Sequence, residues 1–118
     1  MLVKGPAVQW GTKEVLEGTL WLKGRVVGRV RLRGRDGPWH FGRFVPEAAF
    51  AEFSPTFAAW SRLMHDGNQG LLSHAQRSEL ANLERAIDRW QAWIVSSDGM
   101  VHPIRQLNID GSLIEWKE

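Results

Sequence analysis

The chain contains no cysteine. That absence excludes disulfides, thiolate catalysis, iron–sulfur clusters and thiolate zinc sites, and leaves histidine and carboxylates as the only side chains that could hold a metal. No stretch approaches the roughly 18 uninterrupted apolar residues of a membrane-spanning helix, and the opening Met1-Leu2-Val3-Lys4-Gly5-Pro6 lacks the apolar core of a secretory signal. A cytoplasmic location, with no membrane partner, is therefore expected. Catalytic signatures are missing too: there is no Gly-x-Ser-x-Gly elbow, no glycine loop running into Lys-Ser or Lys-Thr, and no His-Glu-x-x-His helix. His40, His65, His74 and His102 are scattered without metal-ligand spacing. Glu47 and Glu52 do not share a helical face, and Asp98 and Asp110 are explained by turns. No catalytic residue, metal or cofactor is assigned, although an enzyme site near His40 stays open as an alternative.

What is present first is a core. All five phenylalanines fall between Phe41 and Phe57, at Phe41, Phe44, Phe50, Phe53 and Phe57, with Trp39 before and Trp60 after. Phe50, Phe53, Phe57, Trp60 and Met64 keep a three-to-four spacing, which predicts a helix face docked onto a sheet. With 118 residues, 43% apolar and 24% charged, the chain reads as a single α+β domain over 1–118.

Period-two alternation predicts a strand from Thr12 to Leu22, with Leu16, Leu20 and Leu22 on one side and Glu17, Thr19, Trp21 and Lys23 on the other. A second strand places Val26, Val30 and Leu32 on one face and Arg25, Val27, Arg29, Arg31 and Arg33 on the opposite one. A three-residue Lys23-Gly24-Arg25 loop pairs Glu17 with Arg31. Gly34, Asp36, Gly37 and Pro38 then turn the chain into a third strand, Trp39 to Phe44. Pro46-Glu47 predicts a helical segment over 46–53, and Ser54-Pro55 restarts it over 55–65 with Ser54 as N-cap. Gly67-Asn68-Gln69-Gly70 reads as a loop. Ser73 and Gln76 form a capping box for a second long helix carrying Leu80, Leu83, Ile87 and Trp90. Asp98-Gly99 and Asp110-Gly111 signal two hairpins, the second pairing Leu107 with Ile114 and Arg105 with Trp116. The expected fold is thus α+β: an N-terminal three-stranded antiparallel meander, two helical segments with the first broken at Ser54-Pro55, and a C-terminal three-stranded antiparallel meander beginning near Trp93.

Trp39, Gly42, Phe44, Pro46, Phe50, Pro55 and Phe57, followed by Asp98-Gly99 and Ile109-Asp110-Gly111, form a pattern that resembles a family of small uncharacterised bacterial proteins. The resemblance spans about residues 16 to 116. It implies a compact α+β fold and carries no activity with it.

Charge is unevenly spread. The net charge is +2, yet residues 23–43 hold seven basic groups and one acid, leaving the rest of the chain at −4. Arginines on one strand face recur about every 6.6 Å, and guanidinium groups bind phosphate bidentately. Arg25, Arg29, Arg31, Arg33 and Arg35, with Trp21 as a stacking platform, are therefore the candidate residues for nucleic-acid or polyanion binding. The plainer reading is a solvated face with Glu17 opposite Arg31. Seven tryptophans are many for a chain this short, and Trp90 and Trp93, where the expected helix gives way to a strand, are candidate interface residues. The leading expectation is a non-catalytic interaction domain that binds a protein partner or a second copy of itself as a homodimer, with polyanion binding as the alternative.

Overall fold

The computed structural model describes residues 17–118. Alternation builds a hairpin from β1 (Glu17–Leu22) and β2 (Arg25–Asp36), in which Glu17 lies opposite Arg31 as expected. The part of the expected first strand over 12–16, Leu16 included, lies outside the described residues. The turn is shorter than the expected three-residue loop: Lys23 and Gly24 alone make it, with φ of 52° and 75°, the left-handed pair that a tight two-residue hairpin needs. A bulge restores the register. Trp21 pairs with Val26 and Leu20 with Gly28, so Val27 is the extra residue, and it turns inward to complete burial instead of joining the arginines.

β3 (Trp39–Pro46) follows through Gly37-Pro38 and pairs with β2. Pro46 still belongs to this strand, opposite Gly28, and the Glu47 N–H donates to the Val27 carbonyl. The helical segment expected from residue 46 therefore starts later, as a 3-10 helix over Ala48–Glu52. Next comes α1 (Ser54–Gln69), where Pro55 fits the first turn because N–H groups there have no intrahelical acceptor. Ser54 is inside this helix and makes no side-chain cap bond. The helix also runs on through Gly67-Asn68-Gln69, expected as loop. The Ser73–Gln76 capping box is formed reciprocally and opens α2 (His74–Arg89).

β4 (Trp93–Ser96) and β5 (Val101–Pro103) form a hairpin around Asp98-Gly99, and β6 (Arg105–Asp110) and β7 (Leu113–Lys117) form another. The expected C-terminal meander is corrected here, because its long middle strand is cut at Ile104: β5 pairs with β4 and β6 with β7. Pro103 has no N–H to continue a ladder, and Gln106, at φ 52°, sits in a bulge. The β6–β7 turn falls on Gly111-Ser112, one position later than expected. Ile109, rather than Leu107, therefore faces Ile114, and Arg105 faces Lys117 rather than Trp116.

All seven described strands join one antiparallel sheet in the order β5-β4-β1-β2-β3-β7-β6. Its two edges, β5 and β6, are joined by Ile104 alone. Laid flat, six strand spacings would separate them by about 29 Å, whereas two residue steps reach about 7 Å. The sheet must curl until its edges approach each other. His102 on β5 reaches Glu118, just past β7, with Nδ1 3.7 Å from Oε2.

The inside of the curl is the core, where Leu20, Val30, Phe44, Ile94, Ile114 and Trp116 meet Phe53, Phe57 and Ile87. The helices pack on each other and both lie along β6, where the Ser61 hydroxyl donates to the Ile109 carbonyl at 3.3 Å. That covers an edge that would otherwise invite another strand. Phe53 and Phe57 are buried and Phe50 partly so. Trp39 and Phe41 instead fall on the outer side, opposite Lys117 and Glu115, so the aromatic cluster is divided between two faces.

At Gly42 a Cβ would stand 2.2 Å from the backbone oxygen of Arg31. Gly42→Ala is expected to lower stability by about 1–3 kcal/mol, read from urea unfolding; an unchanged midpoint would contradict this packing. In the β4–β5 turn the Ser96 hydroxyl and then the Met100 N–H bind the Asp98 carboxylate and hold its pKa below the ordinary value. A lowered folded-state pKa stabilises above the unfolded-state value and is lost as pH falls through the folded one. The stability advantage of the wild type over Asp98→Asn should accordingly shrink on acidification through and below the ordinary aspartate range, measured by urea midpoints across pH.

Candidate functional site

The outer face of the sheet carries the chain's most concentrated positive charge, and strand parity decides which arginines share it. Arg29 lies opposite Thr19 and Val45, and Arg31 opposite Glu17 and Arg43; all four neighbours point outward. Two bulges divide the expected five-arginine face. Before the first, Arg25 pairs with Leu22 and projects to the helix side, where its guanidinium meets Glu52 at 2.5 Å and lies 5.8 Å from the Phe53 ring centre. At the second, between Leu32 and Gly34, Arg33 is the unpaired extra residue, and beyond it Arg35 pairs with His40 on the inward phase. Arg29 and Arg31 remain together, and β3 adds Arg43.

These three arginines, with Thr19, Val45 and Val95, line a shallow groove of about 540 Å³. Arg31 Nε approaches Glu17 Oε2 at 3.5 Å, with both side chains more than 60% exposed, a pair worth little in water. Among the described residues neither Arg29 nor Arg43 makes an ion pair. Arg31 and Arg43 stand directly opposite each other on neighbouring strands, the arrangement in which like charges repel most on a sheet.

Beside the groove lies an aromatic step. Trp21 and Trp93 are cross-strand partners on the outer face, stacked with centroids 6.1 Å apart at 25°. Both are half-buried, and Trp21 Nε1 donates to Thr19 Oγ1 at 3.0 Å, which fixes its ring next to the arginine row. Trp90 goes elsewhere. Its ring meets Phe53 edge-on at 4.8 Å and Phe57 at 5.6 Å against the core. Trp90 and Trp93 thus do not form one patch.

His40 is inside the curl, stacked on Trp116 at 5.4 Å and 8°, with Nε2 3.9 Å from Glu118 Oε2. It lines neither the arginine groove nor the cavities beside α1 and α2. His65 pairs with Asp110 at 3.7 Å, but Ser61, one helical turn away, gives its hydroxyl to a backbone carbonyl. Among the described residues no three His, Asp or Glu side chains are grouped to hold a metal. No helix of the described residues is long and apolar enough to cross a membrane.

Arg43 was missed by sequence reasoning, although a signal for it exists. Counting outward from Gly37-Pro38 places Phe44 opposite Arg31, which sets an apolar residue on the charged side. Requiring Val30 to face Phe44 instead inserts one bulge and brings Arg43 opposite Arg31, as found. No family model, curated protein or solved structure matches the chain.

Because the Arg31–Arg43 repulsion is relieved when one partner loses its charge, Arg43→Gln should raise stability by about 0.2–1 kcal/mol. Chemical denaturation at low salt measures this, and the gain should diminish at high salt as screening grows. A loss of stability would mean that Arg43 serves the fold.

Proposed function

We propose that the outer sheet face binds single-stranded nucleic acid, with Arg29, Arg31 and Arg43 on phosphates and Trp21 beside them as a stacking surface. The observation that carries this reading is the directly opposed Arg31–Arg43 pair, which has a single loosely held acid nearby. A phosphate between two guanidinium groups would convert mutual repulsion into bidentate binding. The neighbouring indoles supply what a sequence-tolerant single-strand site needs, since every base offers a π-face. A groove floored by a sheet also suits an unpaired strand better than a duplex groove, which admits a helix or a two-stranded ribbon. A cytoplasmic location accords with this reading.

The interaction-domain reading keeps one supporting observation: Val45 and Val101, at 47% and 58% exposure, border the same face. A second copy or another protein could cover that rim, so the test includes the oligomeric state.

Fluorescence anisotropy with a mixed-sequence single-stranded oligonucleotide should give saturable binding at low salt. With three phosphates neutralised, the log–log salt slope should be about −2, so that affinity falls roughly twentyfold between 50 and 200 mM. Arg43→Gln should reduce the slope by about 0.7, and Trp21→Ala should weaken binding by about 1–3 kcal/mol. Absence of binding at 50 mM salt would overturn the proposal, and sedimentation equilibrium showing a dimer in its place would favour the protein interface.

A further inference from the structure

A second cavity lies at the opposite border of the sheet, where α1 and α2 rest against β6. It holds about 290 Å³ and is lined by Trp39, Trp60 and Met64 together with Glu84 and Asp88 of α2 and Asn108 of β6. Its charge is opposite to that of the arginine groove: none of the residues lining it is basic, although the chain as a whole is.

Glu84 and Asp88 are four residues apart on one helix, a spacing that brings like charges together at a cost. Among the described residues neither carboxylate is neutralised by an ion pair. Arg85 and Arg89 each follow an acid by one position, and i,i+1 neighbours do not face each other on a helix; Arg85 is also three before Asp88, on the same face, but its guanidinium is engaged by Asn82 and makes no ion pair with Asp88. Glu84 is held toward the aromatic wall because Trp60 Nε1 donates to its Oε2 at 3.3 Å. Its other oxygen and the whole Asp88 carboxylate remain available. Trp39 already acts as a cation partner, since Lys117 Nζ sits 4.9 Å from its ring centre.

We propose that this cavity binds an organic cation, an alkylammonium or methylated ammonium head, with the indoles and Met64 around its alkyl groups and Glu84 and Asp88 balancing its charge. Aromatic walls with carboxylates suit such a head because the ring faces attract it electrostatically while its low hydration lets it leave water. A neutral apolar guest would leave the two acids uncompensated. An anion would be repelled by them. The head could belong to a free small molecule or to a lysine-derived side chain of another protein, and both present the same chemistry.

The test is a titration of the isotopically labelled full chain, following the indole N–H signals of Trp39 and Trp60 by NMR. The probes are choline, its neutral isostere 3,3-dimethyl-1-butanol, and a short peptide bearing one trimethyl-lysine. Choline or the peptide should shift both indole signals saturably, with the isostere at least about tenfold weaker. Asp88→Asn and Glu84→Gln, both at exposed helix positions, should each weaken binding about tenfold. Arg43→Gln should leave it unchanged, which separates this site from the nucleic-acid face. A peptide that binds more tightly than choline would assign the head to a protein, and the reverse order to a small molecule. No saturable shift, equal affinity for the isostere, or undiminished binding by both acid variants would overturn the proposal.

Discussion

Ile104 is the only residue between the two edge strands of a seven-stranded sheet. That connection governs the rest of the structure. Antiparallel sheets with one solvated face normally have short connections between neighbours, but here the shortest link among the described strands joins the two farthest apart in sheet order. Bending is the only geometric solution, and bending gives the sheet an inside and an outside with different rules. Inside, Trp116, Phe44 and Ile94 are almost wholly buried and are closed off by Phe53 and Phe57. Outside, among the described residues, α1 and α2 reach only the border along β6 and β7, and neither helix lines the groove that holds Arg29, Arg31 and Arg43. The arginines and the Trp21–Trp93 step of the outer face are therefore left to solvent or to a partner by the topology itself.

Bulges act on that surface more strongly than composition does. A single extra residue reverses the side to which every later residue points. Val27 does this at one end of β2 and Arg33 at the other, so the arginines at 25, 29, 31, 33 and 35 are folded into three environments. Arg25 becomes an anchor for the 3-10 helix through Glu52, and Arg35 moves to the inward phase. The outer cluster is then rebuilt from two strands, with Arg43 of β3 facing Arg31. A cross-strand cluster is tighter than a single-strand stripe, since opposed residues have Cβ atoms about 5 Å apart while i,i+2 neighbours on one strand are about 6.6 Å apart. Two guanidinium groups at that spacing can address one phosphate.

Much of this was legible in the sequence where a local signal acts alone. The Glu17–Arg31 register, the Ser73–Gln76 capping box, the strand at Trp93 and the hairpin at Asp98-Gly99 each depend on a few neighbouring residues, and each is formed. The α+β class and the antiparallel N-terminal meander followed from the same signals. Three features were not legible, for a common reason. The cut at Ile104, the outward placement of Trp39 and Phe41, and the arrival of Arg43 opposite Arg31 all depend on which distant strand accepts a hydrogen bond. Apolar alternation is blind to that choice when both faces carry large rings. In β3 it is more than blind: Phe41 and Phe44 are both apolar, yet three positions apart they must point to opposite sides of a strand.

The two proposed sites share a physical logic that does not depend on motifs. Each holds a pair of like charges at the closest spacing its element allows, Arg31 with Arg43 across strands and Glu84 with Asp88 along a helix. Each such pair costs a few tenths of a kcal/mol to about 1 kcal/mol, a tolerable fraction of a net stability of about 5–15 kcal/mol. A fold gains nothing from either arrangement, and a single substitution would remove each cost. Glu17 shows how readily the sheet can supply a counter-charge, since it sits at the same register as Arg31 on the other side. No such residue sits beside Arg43, where the next strand offers Leu113. The repulsion therefore remains where an aromatic step or an aromatic cavity adjoins it, the setting in which a charged ligand with a flat or alkylated body gains most from leaving water.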